Sequence, residues 1–171
     1  GMKAAESLAP NDAIIIASGT TVLAFARCIP PEAQLTVLTS AMNVAMALLN
    51  CQQVEVIQLG GIVRHTSSSV TGEYALRMLE NFSGTKLFLG VDGIDLKYGL
   101  TTTNFMEASV NRAMIDAAQK IIVLTDSSKF GRRGFGKICE LDAVDQIITD
   151  SGVSPKVVRE LEELGIKVSI V

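Results

Sequence analysis

Histidine occurs once, at His65, and cysteine three times, at Cys28, Cys51 and Cys139, with no CxxC spacing. A histidine-based metal cluster is therefore excluded, and a Ser-His-Asp triad has a single histidine to draw on. Zinc sites and disulfide frameworks want paired or clustered thiols, so these cysteines read as ordinary reduced residues of a cytoplasmic protein. No apolar run reaches the ~20 residues that cross a bilayer, and no signal peptide is visible. No GxGxxG follows the first strand-like run, which disfavours a dinucleotide. The net charge of −3 argues against a chain that grips nucleic acid by itself, because such binding rests on neutralising phosphates.

What is present is the balance of an α/β protein around a buried sheet, 48% hydrophobic and 19% charged. A length of 171 residues suits one domain, long enough to bury a sizeable core. Gly1 before Met2 reads as a cleavage scar, and the chain starts almost at its first strand. The expectation is an excised domain, residues 1–171, whose natural N-terminal partner is missing.

The stretch 12–27 organises the rest. Residues 13–17 form an apolar, β-branched run short enough for a buried strand. Ser18, Gly19, Thr20 and Thr21 break it, and 22–27 read as helix. A strand turning directly into a helix leaves the first helical amides unpartnered, all pointing into one small volume. Gly19 lets a ligand approach the backbone, and three hydroxyls stand beside it. With the positive end of the helix dipole, this makes a phosphate seat. The same residues also suit plain N-capping. Repetition of the device favours the phosphate seat.

The chain repeats strand, polar turn and helix throughout. Helix one ends at Pro30-Pro31; 35–38 is the second strand, and Thr39, Ser40 and Asn43 open a helix to about residue 50, with Ser40 as its cap. Residues 54–59 are a third strand closed by Gly60 and Gly61; 62–71 read as a polar loop carrying Arg64, and 71–82 as helix. Residues 86–91 form a fourth strand ending in Asp92, Gly93, Ile94 and Asp95, turn-formers by composition. Residues 100–104 read as a polar linker into a helix over 106–119, with Asn104 and Glu107 at capping-box spacing. Residues 120–124 are the fifth strand, ending at Asp126 and Lys129; 146–149 are the sixth. Ser154-Pro155 opens a last helix that Gly165 closes, before a final strand over 166–171. The basic run 132–137 reads as a solvated loop, with a lid or a subunit contact as the lesser reading, and Met42, Met46, Met106 and Met114 read as core filling.

This alternation predicts an α/β fold, a Rossmann-like and mostly parallel sheet with helices on both faces. Ligands of such sheets bind beyond the carboxyl ends of the strands. Those ends supply hydroxyls, amides, glycines, carboxylates and a lysine but no aromatic residue. That inventory suits a small polyhydroxylated anion and disfavours a flat aromatic cofactor; no cofactor and no metal is expected.

The motifs Ser-Gly-Thr-Thr at 18–21, Leu-Thr-Ser-Ala-Met-Asn at 38–43 and Leu-Gly-Gly-Ile-Val-Arg at 59–64 stand in a recognisable order. Gly-Val-Asp-Gly-Ile at 90–94, Gly-Leu-Thr-Thr at 99–102, Glu107-Ala108 and Asp-Ser-Ser-Lys-Phe-Gly at 126–131 follow. In these the chain resembles, from about residue 12 to 171, the C-terminal effector-sensing domain of the DeoR-type bacterial transcriptional repressors. The resemblance implies a ribose-5-phosphate isomerase-like (ISOCOT superfamily) fold and a phosphorylated-sugar effector at the strand ends. It implies a homo-oligomer, dimer or tetramer, and operator DNA held through an N-terminal winged helix-turn-helix ahead of residue 1, not through this chain. The expected effector residues are Ser18, Gly19, Thr20, Thr21, Thr39, Ser40, Asn43, Gly60, Gly61, Arg64, Asp92, Gly93, Glu107, Asp126 and Lys129. The chain departs from the family pattern at Ala17, often aspartate, at Ser40, often asparagine, and at Asn111, often lysine.

Residues 92–95 and 126–129 also resemble segments of ribose-5-phosphate isomerase. Aldose–ketose isomerisation needs a base and a group that stabilises the enediolate. The isomerase's glycine-rich, lysine-bearing segment corresponds to residues 101–112, where the glycines and the lysine are gone. Glu107 remains, and a cap role accounts for it. The expectation is therefore a sensor that does no chemistry. The alternatives are an active sugar-phosphate isomerase of the same fold and, third, a coenzyme A transferase-like module, which would need a catalytic glutamate in a turn.

Overall fold

Ile14 and Ile16 face one layer of the molecule and Ile15 and Ala17 the other, the period-two alternation of a strand buried on both sides. The computed structural model describes residues 1–171. The chain opens with a short helix, α1 (Met2–Ala5), then β1 (Asp12–Ile16), α2 (Thr20–Arg27), β2 (Leu35–Thr39), α3 (Met42–Leu48) and β3 (Val54–Gln58). Next come β4 (Ile62–Arg64), β5 (Ser69–Thr71), α4 (Glu73–Leu79), β6 (Lys86–Leu89), β7 (Gly93–Asp95) and β8 (Gly99–Thr102). The remainder is α5 (Phe105–Asp116), β9 (Ile121–Leu124), β10 (Gly136–Cys139), β11 (Gln146–Thr149), α6 (Pro155–Glu163) and β12 (Lys167–Ile170).

Seven strands form a parallel sheet in the order β12-β11-β9-β6-β1-β2-β3. From β1 the chain winds outward through β2 and β3, then returns to β6 on the other side and winds the opposite way. The switch point lies between β1 and β6, where the loops beyond the two strands part and open a crevice. Helices α1 to α3 cover one face, where the rings of Phe25 and Phe88 lie 4.1 Å apart between centroids. Helices α4 to α6 cover the other, with Leu79, Met114 and Leu161 buried on Leu87, Val123 and Ile147. Truncating Phe25 or Phe88 to alanine would cost about 3–5 kcal/mol by cavity formation.

At the amino end of the sheet, Asp12 opening β1 pairs with Lys86 opening β6 and fixes the register beside the switch point. Burial pushes the Asp12 carboxyl up, but hydrogen bonds from Lys86, the Ala9 amide and Thr85 outweigh it and leave it below its ordinary value. Helix α1 lies on α2. Ala4 is fully buried in the same core as Val22 and Phe25, and a Cβ on Gly1 would stand 2.9 Å from the Ala24 carbonyl carbon.

Several local expectations are corrected. Residues 62–71 are not a loop but the antiparallel β4–β5 hairpin. The presumed linker at 100–104, the turn at 92–95 and the end of the basic run join as β8, β7 and β10 in a small antiparallel sheet. Over that sheet Arg133 and Lys137 stand 4.9 and 4.5 Å from the Tyr98 ring centroid, so part of the basic run is bound rather than solvated. Ser40 does not cap α3: the cap position is Ala41, whose amide is taken by Thr39 Oγ1 at 3.0 Å. Met114 is core, whereas Met46 is 70% exposed on the outer side of α3. Asn104 and Ser154 cap α5 and α6 as their spacing predicts, the latter with Pro155 at the first position.

Candidate functional site

A cavity of about 400 Å³ opens at the switch point, and of its 20 lining residues only Val91 and Leu124 are hydrophobic. Its size is that of a small-molecule site, but its wall is far more polar than usual, which suits a ligand that brings charge and hydroxyls. One side is the start of α2. Gly19 is the cap residue at φ 137°, a conformation that L side chains rarely adopt, and no side chain caps the helix. The first intrahelical bond runs from the Leu23 amide to the Gly19 carbonyl, so the amides of Thr20, Thr21 and Val22 donate to no protein acceptor. Plain N-capping by Ser18, Thr20 or Thr21 is thus not what these residues do. Gly90, beyond β6, packs on this turn: a Cβ there would stand 2.7 Å from the Ser18 carbonyl oxygen.

Lys129 reaches the same cavity from the turn beyond β9. No carboxylate lies within 4.0 Å of its ammonium. Asp126, also on the wall, accepts from the Ser128 amide at 2.9 Å. Hydrogen bonds from Ser128, against some burial and aided by the charge of Lys129, hold the Asp126 carboxyl below its ordinary value.

Another part of the wall is built around Glu107, in the first turn of α5. Its backbone amide is capped by Asn104 Oδ1 at 3.1 Å, but its carboxylate does not reach back to complete a capping box. Instead Oε1 accepts from Arg64 Nε at 3.1 Å, from Ser69 Oγ at 3.4 Å and from Ser67 Oγ. Glu107 therefore ties the β4–β5 hairpin to the body, and the hairpin tip places Thr66, Ser67 and Ser68 on the cavity. On the far side of the hairpin the Ser68 carbonyl accepts from the Met42 amide at 2.8 Å. Thr102 Oγ1 lies 2.8 Å from Asp92 Oδ2 and 3.5 Å from Glu107 Oε2, and the Thr103 amide donates to Asp92 Oδ2 at 2.9 Å. Asn43 presents a fully buried Oδ1 with no partner. Asn111 is 6% exposed and opens on the cavity, and its side chain makes no hydrogen bond within the protein.

The structure thus brings Ser18, Gly19, Thr20, Thr21, Asn43, Arg64, Asp92, Glu107, Asp126 and Lys129 around one volume. Thr39, Ser40, Gly60, Gly61 and Gly93 lie outside it. Thr39 is buried, donating to the Ile16 carbonyl at 2.7 Å, and Ser40 is buried with its carbonyl on the Val70 amide. Gly61 and Gly93 serve packing: a Cβ would meet the Thr71 carbonyl oxygen at 2.5 Å and that of Arg132 at 2.4 Å. Gly60 has no atom near where its Cβ would stand and sits away from the cavity. Sequence reasoning missed Gly90, Thr102, Thr103, Asn111, Thr125 and the hairpin tip as wall residues. The readable signals were Gly90 at a strand end and Asn111 one helical turn after Glu107.

Comparison with known proteins bears on the family and the fold. The family described as the DeoR C terminal sensor domain matches residues 1–151. Over 168 residues the chain is 40% identical to a protein of Escherichia coli O157:H7 described as a repressor of the aga operon, covering 98% of this chain and 62% of that one. It is 37% identical over 169 residues to the uncharacterized HTH-type transcriptional regulator YulB of Bacillus subtilis, covering 99% and 65%. The chain therefore spans less than two thirds of the length of these relatives. Among solved structures, ribose 5-phosphate isomerase A of Neisseria gonorrhoeae superposes with a TM-score of 0.55 at 16% identity, over 77% of this chain and 51% of that one. The eIF2B beta subunit of Chaetomium thermophilum superposes with a TM-score of 0.54 at 14% identity, over 85% and 46%. At such identities these two show a shared fold alone. Fold, motif order and sequence identity converge, and the chain belongs to the DeoR C-terminal sensor domain family.

Proposed function

We propose that this cavity binds a phosphorylated sugar and that the domain is the sensor of a transcriptional regulator. The observation that carries the reading is that three unpartnered α2 amides and the free Lys129 ammonium border the same cavity. Amides at a helix start plus a point cation fit a phosphate dianion. Asp92, Asn43, Asn111 and Glu107 then face the hydroxyls. In the longer protein, an N-terminal winged helix-turn-helix holds operator DNA, and effector binding shifts its affinity by favouring one arrangement of a homo-oligomer. The names of the relatives as repressors support this reading.

The isomerase alternative finds less support. Glu107, the carboxylate that remains in the segment resembling the isomerase's, already accepts from Arg64, Ser67 and Ser69. A thermal-shift screen against pentose and hexose phosphates tests the sensor reading: a bound phosphosugar raises Tm, whereas the unphosphorylated sugar does not. No shift with any phosphosugar overturns it. Turnover of ribose 5-phosphate at ordinary enzyme rates in a coupled assay replaces it with the isomerase.

A further inference from the structure

We propose that a second copy of this chain docks on a groove between the β7 segment and α6, the two copies being related by a two-fold axis. The groove, of about 510 Å³, is lined by residues from three stretches, 94–97, 130–133 and 157–164. The first two are one body: the Gly131 amide donates to the Ile94 carbonyl at 2.8 Å, and Arg133 Nε donates to Asp95 Oδ2 at 2.8 Å. The groove therefore lies between that body and α6. Leu96, Phe130 and Val157 give it an apolar lining, each half-buried on the core of the α4–α6 face. Leu164 also lines it and is 55% exposed.

The two sides carry free charges of opposite sign. Lys97 and Arg133 stand on the first body, Glu160 and Glu163 on α6. Arg133 is balanced by Asp95, and Glu160 has Lys156 at 3.8 Å. Lys97 and Glu163 are both exposed, and neither has an opposite charge within 4.0 Å. An apolar centre rimmed by charge is the anatomy of a protein interface. A two-fold axis lays such a patch on itself with its sides exchanged. The Lys97 side of each copy then meets the Glu163 side of the other, and the contact is made twice. The free cation and the free anion find in the second copy the partners that neither has within one chain. A patch of a single sign would repel its own copy, whereas this one complements it.

The groove also adjoins the cavity through shared segments. Asp92 and Lys129 stand on the cavity wall, and Ile94 and Phe130, two and one residues further along, line the groove and form a β-bridge with each other. In the reading above an effector favours one arrangement of a homo-oligomer, and an interface built on these segments is in direct covalent continuity with the effector's walls. The use made of the dimer rests on that reading; the docking itself does not.

Sedimentation equilibrium of the chain without ligand, over micromolar to millimolar concentrations, tests the docking. The parent is expected to dimerise. Lys97→Glu and Glu163→Lys, each alone, are expected to weaken the dimer about tenfold or more, because each sets like charges together at both contacts. An equimolar mixture of the two variants is expected to regain most of the parental affinity, since in the mixed dimer both contacts again join opposite charges. Leu164→Asp weakens the dimer with no such rescue. All three positions are exposed, so circular dichroism and Tm are expected to match the parent's. A parent that stays monomeric at every concentration overturns the inference and leaves the groove to a different partner. So does a dimer that all three substitutions leave intact, because its interface then lies elsewhere. A mixture that associates no more tightly than its components also overturns it, because the two charges then do not meet. None of these outcomes bears on the phosphosugar reading, which the thermal-shift screen decides by itself.

Discussion

Arg64 Nε stands 3.1 Å from Glu107 Oε1, joining the β4–β5 hairpin to the first turn of α5 at the cavity wall. The two residues are 43 positions apart in the chain, and this pair, with Ser67 and Ser69 on the same oxygen, is the side-chain tie of the hairpin to the body. Removing the carboxylate leaves the half-buried guanidinium and two hydroxyls without their acceptor. Glu107→Ala is expected to cost about 1–3 kcal/mol of stability. Faster hydrogen exchange at 62–71 than elsewhere in the sheet would accompany it, read by exchange mass spectrometry. Unchanged exchange there would show that the hairpin is held by its backbone bonds alone.

Lys129 answers a different question, because it has no protein partner to lose. Lys129→Ala is expected to leave Tm within about a degree or two of the parent, since exposed or unpaired charges contribute little. Affinity for a phosphosugar falls by about 10- to 100-fold, the scale of one charge-assisted hydrogen bond. Calorimetry on the two proteins checks both halves of the statement.

Gly90 is where an added methyl group would press directly on the turn that opens α2. Its Cβ would lie 2.7 Å from the Ser18 carbonyl oxygen and 3.0 Å from Val22 Cγ2, and the backbone on both sides of the switch point would have to part. Gly90→Ala is expected to destabilise by about 1–3 kcal/mol, as overpacking does. It also displaces the α2 amides, so binding weakens more than stability does. A variant that keeps parental affinity would show that the turn at 18–21 is not part of the receptor.

Asp95 gives a pH dependence with a definite sign. The hydrogen bond from Arg133 at 2.8 Å, against some burial and helped by the Lys97 and Tyr98 amides, holds its carboxyl down to about 2 from the ordinary 3.8. The folded value lies below the unfolded one, so the tie stabilises fully above about 3.8 and is lost as pH falls toward 2. The stability difference between the parent and Asp95→Asn is expected to be constant above pH 5 and to close on acidification, measured by urea unfolding. A difference that persists at the acid end would show that Asp95 acts through shape rather than charge.

Cys139 is pushed up to about 12 by burial, then by Asp142 and Glu140. The thiol, not the thiolate, prevails at neutral pH, and it is expected to resist maleimide in the folded chain and to label on unfolding. Peptide mapping of the native protein checks this.

The sequence declared some parts of this molecule and hid others, for reasons that lie in the residues. The run from Asp12 into the turn at Ser18 was legible because five apolar residues, a glycine and three hydroxyls leave few conformations open. Asn104 and Ser154 were legible because capping is local. The β4–β5 hairpin and the β7–β8–β10 sheet were not: their strands are three or four residues long, too short for a period of two to show in polar, glycine-rich sequence. Glu107 misled in an instructive way. Its spacing from Asn104 fits a capping box, yet its carboxylate is claimed by a hairpin that pairing over short range does not announce. Gly61 and Gly93 carried the look of ligand glycines because close approach to a carbonyl and close approach to a phosphate demand the same missing Cβ.

Helix α2 meets both the cavity and the start of the chain within a short span. Its first turn faces the cavity, while Gly1 and α1 rest on Ala24, little more than one turn further on. Four residues of helix, about 6 Å of rise, separate Thr20 from Ala24. Under the proposed effector reading, a tilt of the first turn of α2 would pass through the helix to Gly1 and α1 with no loop between to absorb it, so α2 would serve as a lever as well as a wall.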